Sequence, residues 1–178
     1  ARPPGRLAKL AGMAVRSIRL FGDPVLNSVA APVTRFDDSL RTLVSDMLDT
    51  MDDAGGVGLA ANQVGVDARV FVFDCQGMRG HIINPTWEAA GQDMQIGREG
   101  CLSVPGVSGQ VSRHNRVVAR GVDAFGRPLA IVGTGLLARC IQHESDHLDG
   151  IMFMRRMEPE ARKEAMTIIR GSEWFQQA

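Results

Sequence analysis

The stretch Leu136-Leu137-Ala138-Arg139-Cys140-Ile141-Gln142-His143-Glu144-Ser145-Asp146-His147-Leu148-Asp149-Gly150 sets apolar residues at 136, 137, 140, 141 and 148, with little polar surface between them. A helix that is apolar on most sides is normally buried in the middle of its domain, and Gly150 is a natural stop. Inside it stands His143-Glu144-Ser145-Asp146-His147, the pattern H-E-x-x-H. Four residues, at about 3.6 per turn, return to nearly the same face with a rise of about 6 Å. Both imidazoles can therefore hold one metal ion. Glu144 is turned roughly a quarter circle away, beside the ion without ligating it, where a general base for water activation is needed. The bland alternative is a pair of core histidines beside a solvated acidic face. It is weakened because four polar side chains in the buried middle of a helix all need partners.

Two histidines leave a metal short of ligands. The sequence follows the extended pattern H-E-x-x-H-x-x-G-x-x-H as far as Gly150, but Phe153 occupies the place of the third histidine, so that reading fails. Glu158 and Glu164 lie downstream, the first almost directly after the helix and the second on an exposed-looking segment. Cys140 sits about 10 Å along the axis from His147 and reads as a small core residue. Cys101, in the polar segment Glu99-Gly100-Cys101-Leu102-Ser103, is the better candidate. A thiolate, two imidazoles and one open position make a tetrahedral catalytic site.

Outward from this helix, Leu40, Leu43, Val44, Met47, Leu48 and Met51 form one apolar stripe, the mark of an amphipathic helix over 39–54. Asp37, Asp38 and Ser39 can cap it and Gly55-Gly56 can end it. Gly56-Val57-Gly58-Leu59-Ala60-Ala61-Asn62-Gln63 is too rich in small residues for an ordinary strand and points to close backbone approach. Arg69 to Phe73 reads as a buried strand. Short β-like runs follow at 81–84, 111–112, 117–122 and 128–132, with Phe125-Gly126-Arg127-Pro128 as a hairpin turn. A last amphipathic helix covers about 159–169, and Trp174 and Phe175 beyond it are expected to dock on the domain. Helices at both ends with short strands between them predict an α+β fold.

The length of 178 residues suits one domain, assigned to 13–178, with 1–12 set aside as a tail or expression remnant ahead of Met13. Lysine plus arginine and aspartate plus glutamate stand at 20 each, which argues against direct nucleic-acid specificity or electrostatic adhesion to a membrane. The apolar runs fall far short of the roughly 20 residues of a membrane span. The odd count of three cysteines, with no apolar leader near the N-terminus, points to a reducing, cytoplasmic location.

Three segments resemble the three signature motifs of peptide deformylases. Gly56 to Gln63 is similar to G-φ-G-φ-A-A-x-Q, Glu99 to Ser103 to E-G-C-φ-S, and Gln142 to Gly150 to Q-H-E-x-D-H-φ-x-G. They occur in the family's order, and the resemblance covers about 15–157. It implies short antiparallel sheets surrounding a central metal-binding H-E-x-x-H helix, with an N-terminal amphipathic helix and a C-terminal helix. Cys101, His143 and His147 would be the metal ligands and Glu144 the catalytic acid/base. The Gln63 side-chain amide and the Leu102 backbone N–H would bind the developing oxyanion. The ion would be Fe2+ in the cell, with Zn2+, Ni2+ or Co2+ replacing it in purified protein. The partners would be N-formylmethionyl nascent peptides, with transient ribosome contact, and the products formate and a free N-terminal methionine.

The same resemblance puts Val57, Leu136, Arg139, Cys140 and His143 around a methionine side-chain pocket, and Gly58 and Gly100 beside an extended peptide added like a strand. Gly97 and Arg139 depart from the apolar residues common there. Arg139 would either lay its stem along the pocket with its charge at the rim or face solvent. Two rivals make different predictions. A zinc endopeptidase needs a ligand downstream of His147, and a non-catalytic metal-dependent binding module has no use for Glu144 and Gln63.

Overall fold

The computed structural model describes residues 14–177; the tail expected at 1–12 lies outside the described residues. Helix α1 (Asp38–Asp53) begins where Asp37 accepts the Leu40 N–H at 3.2 Å, the ordinary work of an N-cap carboxylate. Its stripe of Leu40, Leu43, Val44, Met47 and Met51 is buried. The chain then forms β1 (Gly58–Ala60), a 3-10 turn (Ala61–Val64), β2 (Val70–Cys75), β3 (Met78–Ala89), β4 (Met94–Gly100), β5 (Ser108–His114), β6 (Arg116–Val122) and β7 (Pro128–Thr134). Helices α2 (Gly135–Leu148), α3 (Pro159–Arg170) and the short α4 (Glu173–Gln176) complete it. All strand pairs are antiparallel, in a five-stranded sheet of order β1-β2-β3-β6-β7 and a two-stranded ribbon of β4 and β5. The fold is α+β, as expected.

Strand β2 explains why both long helices are apolar. Phe71 and Phe73 belong to the cluster that contains Leu137, Ala138 and Ile141 of α2. Val70 and Val72, pointing the other way, join Leu43, Met47 and Met51 of α1. With a helix on each face, the strand reads as a continuous apolar run rather than an alternating one. A third cluster gathers Val104, Val107, Val111, Phe153 and Ile169, joining the ribbon to α3. The C-terminal aromatics dock as expected: Trp174 Nε1 donates to the Pro105 carbonyl at 3.1 Å, and the Phe175 and Phe21 rings lie 6.0 Å apart.

Several strands differ from expectation: residues 58–60 of the small-residue segment pair as β1, and the run at 111–112 extends over 108–114. The short run at 81–84 is part of a twelve-residue strand. Gln76 and Gly77 both have positive φ, 54° and 78°, the two-residue turn whose twist suits a hairpin. Pro85 falls where the β3–β6 register shifts between Ile83 and Thr86, a place that tolerates a missing N–H. Strand β4 was not anticipated at all, because its polarity is inverted. Gln95, Gly97 and Glu99 take the more covered positions while Ile96 is 75% exposed, so apolar alternation gives no signal. Among the described residues no helix is long and apolar enough to cross a membrane.

Candidate metal centre

Gly135, at φ +57°, lets β7 turn directly into α2, a backbone state that glycine adopts without penalty. That turn aims α2 under the cleft between the sheet and the ribbon. Gln142 fixes its rotation: its amide accepts the His114 N–H and donates to the His114 carbonyl, both at 2.9 Å. His143 and His147 then stand together, their ring centroids 4.9 Å apart. Cys101, immediately after β4, approaches from the opposite side with Sγ 3.3 Å from His147 Nε2. The ligand atoms of Cys101, His143 and His147 all lie within 4.8 Å of one another, the only such group among the described residues. A tetrahedral site with a metal–sulfur bond of about 2.3 Å and metal–nitrogen bonds of about 2.0–2.1 Å has edges of about 3.5 Å. The donor set fits an ion of that class.

The His143 ring is held on both sides. Its Nδ1 lies 2.8 Å from Glu99 Oε1, which leaves Nε2 for a ligand. Phe153, at the place where a third histidine was sought, stacks on the ring at 6.1 Å and 26°. Asn62 donates to the His147 carbonyl. Cys101 Sγ accepts the Ser103 N–H at 3.4 Å, and Gln63 Nε2 lies 3.5 Å from it.

Beneath these candidate ligands runs a buried ionic chain. Arg113 grips both Glu99 oxygens, at 2.8 and 2.9 Å, and reaches Asp146 at 2.7 Å. Asp146 also takes Arg156 at 3.0 and 3.1 Å. Burial alone would raise the Glu99 pKa, but hydrogen bonds from Arg113 and His143 outweigh it and hold it well below the usual carboxylate range. Arg113→Ala would leave two buried carboxylates short of their counter-charge. The expected loss is about 3–5 kcal/mol of folding stability, read from denaturant unfolding against wild type. A loss below about 1 kcal/mol, the value of an exposed pair, would show that the network is dispensable.

Glu144 contrasts with Glu99. It is 3% exposed, and Oε1 has no partner among the described residues. Burial, reinforced by the Glu99 charge and offset by His143, pushes its pKa up to about 7. A carboxyl poised there can both accept and return a proton near neutral pH. Its neighbour Gly58 can only be a glycine, since a Cβ would sit 2.6 Å from Glu144 Oε2 and 2.8 Å from Cys140 Sγ. This is the close backbone approach that the small residues of 56–63 announce.

A cavity of about 560 Å³ opens over the group, and every expected site residue lines it except His147, which is buried behind the others. Val57, Gly58, Gln63, Gly100, Leu102, Leu136, Arg139 and Cys140 are all at its wall. The Leu102 N–H meets no backbone or side-chain acceptor among the described residues. Gln63 is engaged: its Oε1 takes the Ala60 N–H at 2.9 Å and its Nε2 donates to Ser103 Oγ at 3.1 Å. Glu158 and Glu164 are exposed and outside the ligand group. Arg139 neither faces solvent nor carries its charge to the rim. It is 5% exposed, turned inward onto Glu99 at 2.5 Å, because a buried carboxylate draws it more strongly than water at the mouth. Of the supporting residues, Glu99 and Asp146 lie inside quoted motifs. Arg113 had no local signal beyond the need of those acids for a cation.

Known proteins resemble this chain closely in sequence and fold. The family model "Polypeptide deformylase" matches residues 15–163. Peptide deformylase 1 of Corynebacterium efficiens is 58% identical over 167 residues, covering 92% of this chain and 99% of that protein. The peptide deformylase of Acidothermus cellulolyticus is 56% identical, over 91% and 89%. The crystal structure of a peptide deformylase from Legionella pneumophila superposes with a TM-score of 0.85 at 42% identity, covering 92% of this chain and 98% of that one. That from Synechococcus elongatus, in complex with actinonin, gives 0.81 at 41%, over 94% and 87%. With a matched model spanning most of its length and relatives this similar end to end, the chain belongs to the polypeptide deformylase family.

Proposed function

We propose that residues 13–178 act as one catalytic domain, a metal-dependent hydrolase that removes the formyl group from N-formylmethionyl nascent peptides in the cytoplasm. The observation that carries this reading is the convergence of Cys101, His143 and His147 at a cavity that also receives the Glu144 carboxylate. Cys101, His143 and His147 would hold the ion, on the H-E-x-x-H helix α2. One sulfur and two imidazoles suit the later first-row ions; Fe2+ is assigned in the cell, with Zn2+, Ni2+ or Co2+ as substitutes. A bound divalent ion supplies Lewis acidity to the formyl group and to the attacking water.

The chain's own residues do the rest. An extended peptide adds along the open edges of β1 and β4, where Gly58 and Gly100 keep side chains out of its way. Its first side chain enters between Val57, Leu136, Arg139 and Cys140. The Leu102 N–H and the Gln63 amide donate to the oxyanion that forms on the formyl carbon. Glu144 takes a proton from water as its oxygen bonds to that carbon, then delivers it to the departing amine nitrogen as the C–N bond breaks. Formate and a free amino terminus result. Transient ribosome contact would bring the enzyme to its substrate.

Formate release from formyl-Met-Ala by the iron- or cobalt-reconstituted chain tests the proposal, and a fully metallated sample that yields none would overturn it. A hydroxamate, which chelates through two oxygens, is expected to bind with micromolar or tighter affinity by calorimetry. Removal of the ion beforehand should abolish that binding.

A further inference from the structure

The first-residue pocket has one ionic wall, and its bonding is incomplete. Arg139 lies one helical turn before His143 and lines the cavity while 5% exposed. Its Nη1 donates to Glu99 Oε2 at 2.5 Å and to the Val111 carbonyl at 2.9 Å. Its Nη2 donates to Gln95 Oε1 at 3.3 Å. Gln95 is itself anchored, through Nε2 to the Gly135 carbonyl at 2.7 Å. Gly97 makes room for this arrangement: a Cβ there would lie 3.0 Å from Nη2, 3.2 Å from Cζ and 3.3 Å from Nε. The glycine and the arginine are thus one coupled feature. A Cβ at 97 would crowd the guanidinium, which would have to give by a few tenths of an ångström.

A guanidinium carries five N–H donors, and three are taken. The Nε–H and the second Nη2–H meet no acceptor among the described residues. The partnerless Nε is not among the polar atoms sealed from water, so it is open to the cavity; a guest that displaces that water is favoured when it brings an oxygen in its place. The thioether of methionine is only a weak acceptor. Its sulfoxide is a polar group with an exposed oxygen. We propose that Arg139 is a specificity-determining residue that adapts the pocket to N-formyl peptides whose first residue is methionine sulfoxide, by donating to the sulfoxide oxygen. The inference rests on the deformylase reading above. The chemistry is unchanged: the formyl C–N bond is hydrolysed and the sulfoxide leaves intact.

The test measures kcat/KM for formate release by the metal-reconstituted full chain from formyl-X-Ala-Ser, where X is methionine, methionine sulfoxide or norleucine. Wild type is expected to turn over the sulfoxide within about tenfold of methionine, because the Arg139 hydrogen bond offsets most of the cost of burying the sulfoxide oxygen. Arg139→Met should lower the sulfoxide-to-norleucine ratio by about 10- to 100-fold, as for a lost hydrogen bond to a charged group, and Arg139→Lys should restore part of it. An unmoved ratio, with all three peptides falling together, would reduce Arg139 to a prop for Glu99 and overturn the proposal. So would a wild-type rate on the sulfoxide more than about 100-fold below norleucine, a comparison that needs no variant to fold. Turnover of methionine without the sulfoxide defeats this inference alone. Formate from none of the three defeats the deformylase reading with it.

Discussion

Glu144→Ala is expected to keep its metal and lose about 100- to 10,000-fold in turnover, the usual contribution of a positioned general acid/base. The argument is local. Glu144 is not among the grouped ligand atoms, and its Oε1 has no partner, so truncation orphans few neighbours. It is adjacent to His143 on α2, close enough to serve a water held over the ligands. Burial raises its pKa to about 7, matching the proton it must take and give back. Formate assays with elemental analysis of the same sample decide the matter. Loss of the ion or of the fold together with activity would make Glu144 a structural residue.

Cys101→Ala should do the opposite, emptying the site. Residues that merely orient metal ligands typically cost about 10- to 100-fold in affinity or activity when lost, and a ligand itself should exceed that. Cys101 supplies the only non-histidine donor of the group and sits 3.3 Å from His147 Nε2. The side chain that remains is smaller, so no overpacking confuses the result. Metal content well below one ion per chain is the expected measurement. A zinc endopeptidase with a ligand downstream of His147 would instead keep its ion, and full occupancy in this variant would remove the Cys101 assignment.

The helix that carries the candidate ligands was legible because its chemistry is compressed into five consecutive residues of fixed helical geometry. Cys101 was legible only as the best of several candidates and through its motif, since 42 positions and the three strands β5 to β7 separate it from His143. Helix α1 showed itself by the regular period of its buried apolar stripe, and strand β2 by an unbroken apolar run. Strand β4 did not, because it turns Glu99 inward and Ile96 outward, the reverse of the rule that hydrophobic pattern follows burial. The inward position of Arg139 was hidden for the same reason. Its partner, Glu99, belongs to a strand that apolar periodicity could not reveal, so the buried charge that captures it was not visible from its own helix.

Strand β1 has one neighbour, β2, and lies at the margin of its sheet. An unpaired margin beside a cleft is also a place where copies of a protein can stick to one another. Here it is three residues long, with Gly56 and Val57 before it and the tight turn of Ala61–Val64 just after. A second molecule could gain only a few main-chain bonds there, too few to seed a growing stack. Brevity thus keeps this side of the groove receptive to a short guest while denying a template for polymerisation along β1.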